Sequence, residues 1–144
     1  PGCIYIENYN RNDFLDPNTV VYGHNMKNGT MLAGVHKFKD PTYFEEHPYV
    51  YIYLSDKVQV YEIFGVYENG DEHLLYGKDM SNETIFNAYL DTIEEKAKSG
   101  KGNWKEEVVL TEYSKLVTLS TCIGGKSDKR LLLQAVLCGE ASLQ

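Results

Sequence analysis

The sequence lacks the patterns that mark membrane proteins and nucleic-acid-binding proteins. No apolar run approaches the roughly 18 residues that cross a bilayer, and no charged start leads into the apolar stretch of a signal peptide. Basic residues are few, because 14 Lys and Arg stand against 21 Asp and Glu, giving a formal net charge of −7 at pH 7. A field of that sign repels phosphate backbones, so we expect no nucleic-acid partner.

Cysteine is also scarce, with only Cys3, Cys122 and Cys138 in the chain. An odd number cannot pair completely within one molecule, and none of the three forms the CxxC spacing of zinc or redox sites. Acidic residues are scattered and no His or Cys cluster has ligand spacing, so we expect no metal and no organic cofactor. Cys3 and Cys138 have apolar, strand-like neighbours, which favours a role as small buried hydrophobes.

The length and composition indicate one globular domain. Its 144 residues, 42% hydrophobic and 24% charged, suit a single core. There is no internal repeat, low-complexity segment or linker, and the twelve tyrosines favour strands. We therefore expect residues 1–144 to form one domain.

Hydrophobic periodicity predicts about six strands. We assign them to residues 3–6, 19–22, 49–54, 58–67, 116–121 and 130–137, with the third and fourth forming a central hairpin and a loop at 123–129. Two short helices are expected within residues 30–47, the second capped by Asp40 with Pro41 at its first position. A long helix over residues 81–100 would begin at an N-cap Ser81. This order favours a mainly antiparallel barrel or sandwich over a parallel doubly wound fold.

Three residues could supply the chemistry of cysteine-dependent acyl transfer, which needs a thiolate, an imidazole and an oxyanion donor. His24 and Cys122 each follow a predicted strand, and Arg130 begins the strand after the Cys122 loop. If the last two strands pair antiparallel, about 4.8 Å apart, Arg130 lies beside Cys122. The alternatives are an ordinary loop histidine, a core thiol and a surface charge. We give structural roles to the other histidines, His36, His47 and His73.

Several segments resemble those of class B sortases. The histidine segment is TVVYGHNMKNGTM at residues 19–31, the cysteine signature is VTLSTC at residues 117–122, and Arg130 follows after a variable loop. Residues 38–44 and 61–67 also resemble family segments, so the resemblance spans nearly the whole chain. A long helix before the cysteine strand distinguishes class B from the plainer classes.

The resemblance implies a mainly β fold: a sortase-like closed β-barrel, mostly antiparallel. Two short helices would follow the His24 strand, and one long helix would precede the Cys122 strand. The position of the long helix just before that strand leads us to expect that it walls the substrate cleft. It further implies that residues 1–144 are a single, N-terminally truncated catalytic domain from which early strands and a membrane anchor are missing.

The implied activity is that of a cysteine transpeptidase. Cys122 would attack the Thr carbonyl of an NPxTN- or LPxTG-like sorting signal near a surface protein's C-terminus, forming a thioester. His24 would move the proton, and Arg130 would stabilise the oxyanion. The resemblance also suggests substrate-binding roles for Thr121, Ser120 and Asn25.

The implied partners are surface proteins carrying the sorting signal and a peptidoglycan precursor that offers an amine. Such an enzyme would act on the extracellular face of the cell membrane of a Gram-positive-type bacterium, held there by the N-terminal anchor. Three alternatives stay open from the sequence: a pilin polymerase whose acceptor is a pilin lysine, a non-enzymatic surface-binding β module, and a secreted cysteine protease that uses water.

Overall fold

The computed structural model describes residues 5–6, 18–23, 33–70, 82–99, 102–111, 113–123 and 126–143. Seven strands and three helical segments lie within these ranges. In chain order they are β1 (Tyr5–Ile6), β2 (Asn18–Gly23), a 3-10 helix (Ala33–Lys39), α1 (Pro41–Glu46), β3 (Tyr49–Tyr53), β4 (Lys57–Gly70), α2 (Glu83–Lys98), β5 (Asn103–Trp104), β6 (Leu116–Ile123) and β7 (Lys126–Ser142).

All seven strands belong to one sheet in the order β1-β2-β6-β7-β4-β3, with β5 paired to β4. The β2–β6 pair is parallel and the other described pairs are antiparallel. The predicted class is confirmed: mainly β, mostly antiparallel, with two short helices after β2 and a long helix before β6. The predicted closure into a barrel is not made by hydrogen bonds within the described residues, because β1 and β3 lie at opposite ends of the strand order.

Strand alternation gives this sheet two apolar faces, each covered by helices. The α2 face joins α2 to the sheet through Val20, Phe64, Tyr67, Phe86, Tyr89, Leu90, Ile93, Ala97, Leu116, Leu132 and Val136. The opposite face joins the 3-10 helix and α1 to the sheet through Val21, Val35, Phe44, Tyr61, Ile63, Val66, Val117, Leu131, Leu133 and Ala135. Burial of these side chains, about 1.5–3 kcal/mol for each large one, fixes which face every strand residue occupies.

The two α-helices begin at side-chain caps. Asp40 accepts a hydrogen bond from the Thr42 N–H at 3.0 Å, with Pro41 in the first turn, which confirms the predicted start of α1. For α2 the predicted cap is wrong by one residue, because Asn82 rather than Ser81 accepts the Ile85 N–H, at 3.1 Å. No helix among the described residues has the length and apolar character needed to span a bilayer.

A buried polar cluster attaches α2 to three strands of the sheet. The Tyr89 hydroxyl accepts hydrogen bonds from Asn18 Nδ2 of β2 at 3.0 Å and from Gln134 Nε2 of β7 at 2.8 Å. Thr118 of β6 donates to Asn18 Oδ1 at 2.8 Å and accepts from Gln134 Nε2 at 2.9 Å. All four side chains are buried, so the cluster fixes α2 against β2, β6 and β7.

The β3–β4 hairpin is present, but only β4 is central to the sheet. The register pairs Tyr49 with Glu62 and Tyr53 with Val58. β3 lies at an end of the strand order, so the prediction that the whole hairpin is central is wrong. Strand alternation packs Val50 and Ile52 of β3 against the core and leaves Tyr49, Tyr51 and Tyr53 exposed.

The β6–β7 hairpin extends further than the apolar pattern predicted. β6 continues to Ile123 and β7 already begins at Lys126, so the predicted loop at residues 123–129 is wrong. Residues 126–129 are polar and show no alternation, yet the pairing of Lys126 with Ile123 of β6 and of Lys129 with Gly70 of β4 holds the chain extended there. Arg130 is consequently an interior residue of β7.

Candidate active site

The residues before His24 and before Cys122 lie side by side on neighbouring parallel strands. β2 ends at Gly23, and Gly23 pairs with Thr121 of β6. Parallel pairing brings the carboxyl ends of both strands to the same edge of the sheet. His24 and Asn25 lie outside the described residues, so the described register of β2 ends at Gly23.

The backbone pairs Cys122 of β6 directly with Arg130 of β7. This is the antiparallel neighbour relation that the sequence predicted for the last two strands. Asn69 of β4 pairs with Arg130 on its other side, and Lys96 Nζ of α2 donates to Asn69 Oδ1. The last turn of α2 therefore reaches the strand position next to Arg130.

The Arg130 side chain is held by residues of two other strands, β6 and β2. Its Nε donates to Ser120 Oγ at 2.6 Å and its Nη2 donates to the Ser120 carbonyl oxygen at 3.2 Å. The guanidinium carbon lies 5.3 Å from the centre of the Tyr22 ring, within the range of a cation–π contact. Tyr22 packs against the α2-face cluster, so this group of three side chains occupies the face that α2 covers.

The remaining predicted substrate-binding residues occupy different environments. Ser120 is fully buried and contacts Arg130. Thr121 is also fully buried, and strand alternation places it with Val117 on the face opposite to Arg130. The binding role expected for Thr121 stays a prediction.

The described residues contain no group of three or more His, Cys, Asp or Glu side chains that could hold a metal ion. Cys138, the other cysteine on this hairpin, is exposed, and the sequence assigned it wrongly to the core. Loss of hydration, followed by the negative charge of Glu62, raises the pKa of the Cys138 thiol. A raised pKa reduces the thiolate fraction, so Cys138 is a poor nucleophile near neutral pH.

Comparison with known proteins places this geometry in a family. No protein-family model matches the sequence. Sortase B of Listeria monocytogenes is 33% identical over 139 residues, which are 94% of this chain and 54% of that protein. The X-ray structure of Clostridium perfringens sortase B superposes with a TM-score of 0.81 at 30% identity, covering 94% of this chain and 73% of that one. The chain belongs to the sortase B family.

Another sortase B structure shares the fold with a similar TM-score and a similar sequence identity. Sortase B from the Type II pilus of Streptococcus pneumoniae has a TM-score of 0.79 and 29% identity, over 94% of this chain and 76% of that one. The present chain spans about half the length of the curated sortase B relatives it matches.

Sequence patterns did not single out Tyr22 as a contact of Arg130 in this member of the sortase B family. Its position two residues before His24, on a β-branched strand, is the only indication that it could face the site. The Ser120–Arg130 contact likewise depends on a side chain that reaches diagonally across a strand pair, since Ser120 pairs with Leu132 and not with Arg130.

Proposed function

We propose that this chain is the catalytic part of a sortase B that cleaves a C-terminal sorting signal and transfers the cleaved protein to a primary amine. The pairing of Cys122 with Arg130, beside the parallel alignment of Gly23 with Thr121, is the observation that carries the proposal. It supports a site built from the ends of β2, β6 and β7. The anchoring role, the sorting signal and the extracellular location belong to the same proposal.

In the proposed reaction the Cys122 thiolate attacks the Thr carbonyl carbon of the sorting signal. The carbonyl electrons move onto oxygen, and the oxyanion then expels the amine of the following residue, which takes a proton from His24. A thioester remains on Cys122. His24 next removes a proton from the incoming amine, which attacks the thioester carbon and releases the thiolate.

Arg130 is proposed to stabilise the oxyanion. A guanidinium keeps its charge at every physiological pH and presents donors in a fixed plane, whereas lysine offers a flexible point charge. The contacts to Ser120 and Tyr22 support this assignment, because they hold the group rigidly before substrate arrives. We propose that α2, which covers the same face, walls the cleft and limits access of water to the thioester.

The acceptor is proposed to be a peptidoglycan-precursor amine. A pilin lysine is the alternative acceptor, and it is favoured by the likeness to the sortase B from a Type II pilus. Both acceptors are primary amines, so the chemistry at Cys122 is the same. Competing the two acceptors against each other, with one sorting peptide as donor, separates the anchoring and pilin-polymerising roles.

Turnover of a fluorogenic sorting peptide, with and without added amine, tests the proposal. We expect Cys122→Ala to abolish turnover, His24→Ala nearly to abolish it, and Arg130→Lys to remove most of it while leaving the fold intact. Cys138→Ala is the matched control, because its exposed thiol lies outside the proposed site and turnover should be unchanged. Turnover by Cys122→Ala would refute the assignment, and hydrolysis unaffected by amine would indicate a protease.

A further inference from the structure

Ser120 accepts two hydrogen bonds from the Arg130 guanidinium. The Oγ accepts from Nε at 2.6 Å and the main-chain carbonyl accepts from Nη2 at 3.2 Å. Two bonds from one planar group to one residue fix both its position and the direction of its plane. The carbonyl belongs to the β6 backbone and is present whatever residue occupies position 120. Only the hydrogen bond to Oγ therefore depends on the serine side chain.

The surroundings of Ser120 make this contact rigid. Ser120 is fully buried within a strand that is paired on both sides, to Tyr22 of β2 and Leu132 of β7. Tyr22 itself lies under the guanidinium, 5.3 Å from ring centre to guanidinium carbon. One strand pair therefore supplies both the acceptor and the aromatic surface that hold Arg130.

We propose that Ser120 is a positioning residue for Arg130, and that it acts through the guanidinium without contacting the substrate. This inference rests on the proposed oxyanion role of Arg130. This positioning role differs from the substrate-binding role that the sequence suggested for Ser120. The buried Ser120 hydroxyl is bonded to Arg130, and it therefore orients the N–H groups of Arg130 that face the oxyanion. Misalignment of an oxyanion donor weakens its stabilisation of the transition state and has much less effect on ground-state binding of the substrate.

The kinetic expectation is a loss in kcat with little change in KM. Ser120→Ala removes the acceptor of a charge-assisted bond, and we expect kcat to fall about 10- to 100-fold, a range typical of losing part of one preorganised donor. Ser120→Thr keeps the Oγ and should restore most of the activity. In an Arg130→Lys background, Ser120→Ala should have almost no further effect, because the group it positions is gone.

A spectroscopic measurement tests the contact without reference to activity. The chain has only two arginines, Arg11 and Arg130, so the Arg130 Nε–H signal can be assigned in a 15N spectrum by its absence from Arg130→Lys. We expect this Nε–H to exchange slowly in the wild type and in Ser120→Thr, and to exchange fast in Ser120→Ala. Ser114→Ala is the control, because it removes another hydrogen-bonded serine hydroxyl from a loop before β6.

The outcomes separate failure of this inference from failure of the proposed function. Unchanged Arg130 Nε–H exchange in Ser120→Ala, or a raised KM that is additive with Arg130→Lys, would overturn the positioning role. Full activity of Arg130→Lys would instead refute the oxyanion role, and any kinetic role for Ser120 with it. If Ser120→Ala fails to fold, Ser120→Cys keeps a side chain of similar size but offers only a weak acceptor, and unchanged kcat and Nε–H exchange there would also overturn the inference.

Discussion

The buried cluster around Tyr89 gives a stability prediction that depends on a single oxygen atom. Tyr89→Phe keeps the ring in the α2-face core and removes only the hydroxyl. That hydroxyl is the acceptor for Asn18 Nδ2 at 3.0 Å and for Gln134 Nε2 at 2.8 Å. Neither donor can turn to water, because Asn18 and Gln134 are 1% and 0% exposed.

The size of the effect follows from the lost acceptor. Gln134 Nε2 keeps the Thr118 Oγ1 as an acceptor at 2.9 Å, so the main loss is the hydrogen bond from Asn18. A buried donor that loses its acceptor lowers stability by about 1–3 kcal/mol. For a chain of 144 residues, each kcal/mol shifts Tm by about 3–4 °C, so we expect a fall of roughly 3–12 °C. The Asn18 and Gln134 donors belong to β2 and β7, so the loss should weaken the attachment of α2 to the strands that carry the proposed site.

Thermal unfolding followed by circular dichroism measures this directly. Tyr113→Phe removes the same hydroxyl from a ring that is 81% exposed, and its Tm should stay within about 1–2 °C of the wild type. If Tyr89→Phe had the same Tm as Tyr113→Phe, the hydrogen bonds to the Tyr89 hydroxyl would contribute nothing to the attachment of α2 to the sheet. That result would refute the reasoning from buried hydrogen bonds.

Three further predictions concern pH, thiol chemistry and backbone packing. Burial, followed by the negative charge of Glu140, raises the pKa of Tyr61 to about 12. The folded state thus holds this proton more tightly than the unfolded chain. The stability that this pKa difference contributes is complete below pH 10 and is lost between pH 10 and 12. Tyr61→Phe should therefore flatten the fall of Tm with pH in that window. A fall of Tm as steep as that of the wild type would contradict this prediction. Iodoacetamide at about pH 7.5 should label Cys122 well before Cys138, whose pKa is raised, and equal rates in peptide mapping would contradict the proposed nucleophile. Gly102→Ala would drive a Cβ into backbone carbonyl oxygens of β4 and α2, so Tm should fall markedly, and an unchanged Tm would contradict the close packing of that turn.

Local sequence signals predicted the start of a helix correctly where only one residue could act as the N-cap. Asp40 followed by Pro41 is a cap and first-turn pair that no competing residue disturbs, and α1 begins there. At α2 the neighbours Ser81 and Asn82 can both cap a helix, and the pattern could not distinguish them. The structure selects Asn82, whose side chain accepts the Ile85 N–H.

Long-range pairing explains most of what the sequence could not predict. The two-residue strand β5 has no periodicity to detect, and it is defined only by its pairing with β4, where the Trp104 ring lies against Gly65. The polar segment 126–129 is extended because Lys126 pairs with Ile123 of β6 and Lys129 pairs with Gly70 of β4. The edge position of β3 depends on which strand pairs with β4 on its other side, and no local pattern encodes that choice.

The proposed site was partly predictable for the same reason. A short connection between the last two strands predicts antiparallel pairing, and Cys122 does pair with Arg130. The parallel pairing of β2 with β6 joins segments about a hundred residues apart and was not predicted. The contacts of Arg130 with Ser120 and Tyr22 depend on that pairing and on side-chain rotamers, which no local sequence pattern specifies.

Intact-mass analysis of the protein after brief incubation with sorting peptides tests the central claim most directly. We predict an added mass equal to the peptide fragment ending in Thr, removed by hydroxylamine and mapped to Cys122, and absent from Cys122→Ala. A hydroxylamine-sensitive adduct that persists in Cys122→Ala would contradict the account. So would the absence of any adduct across a library of NPxTN- and LPxTG-like peptides.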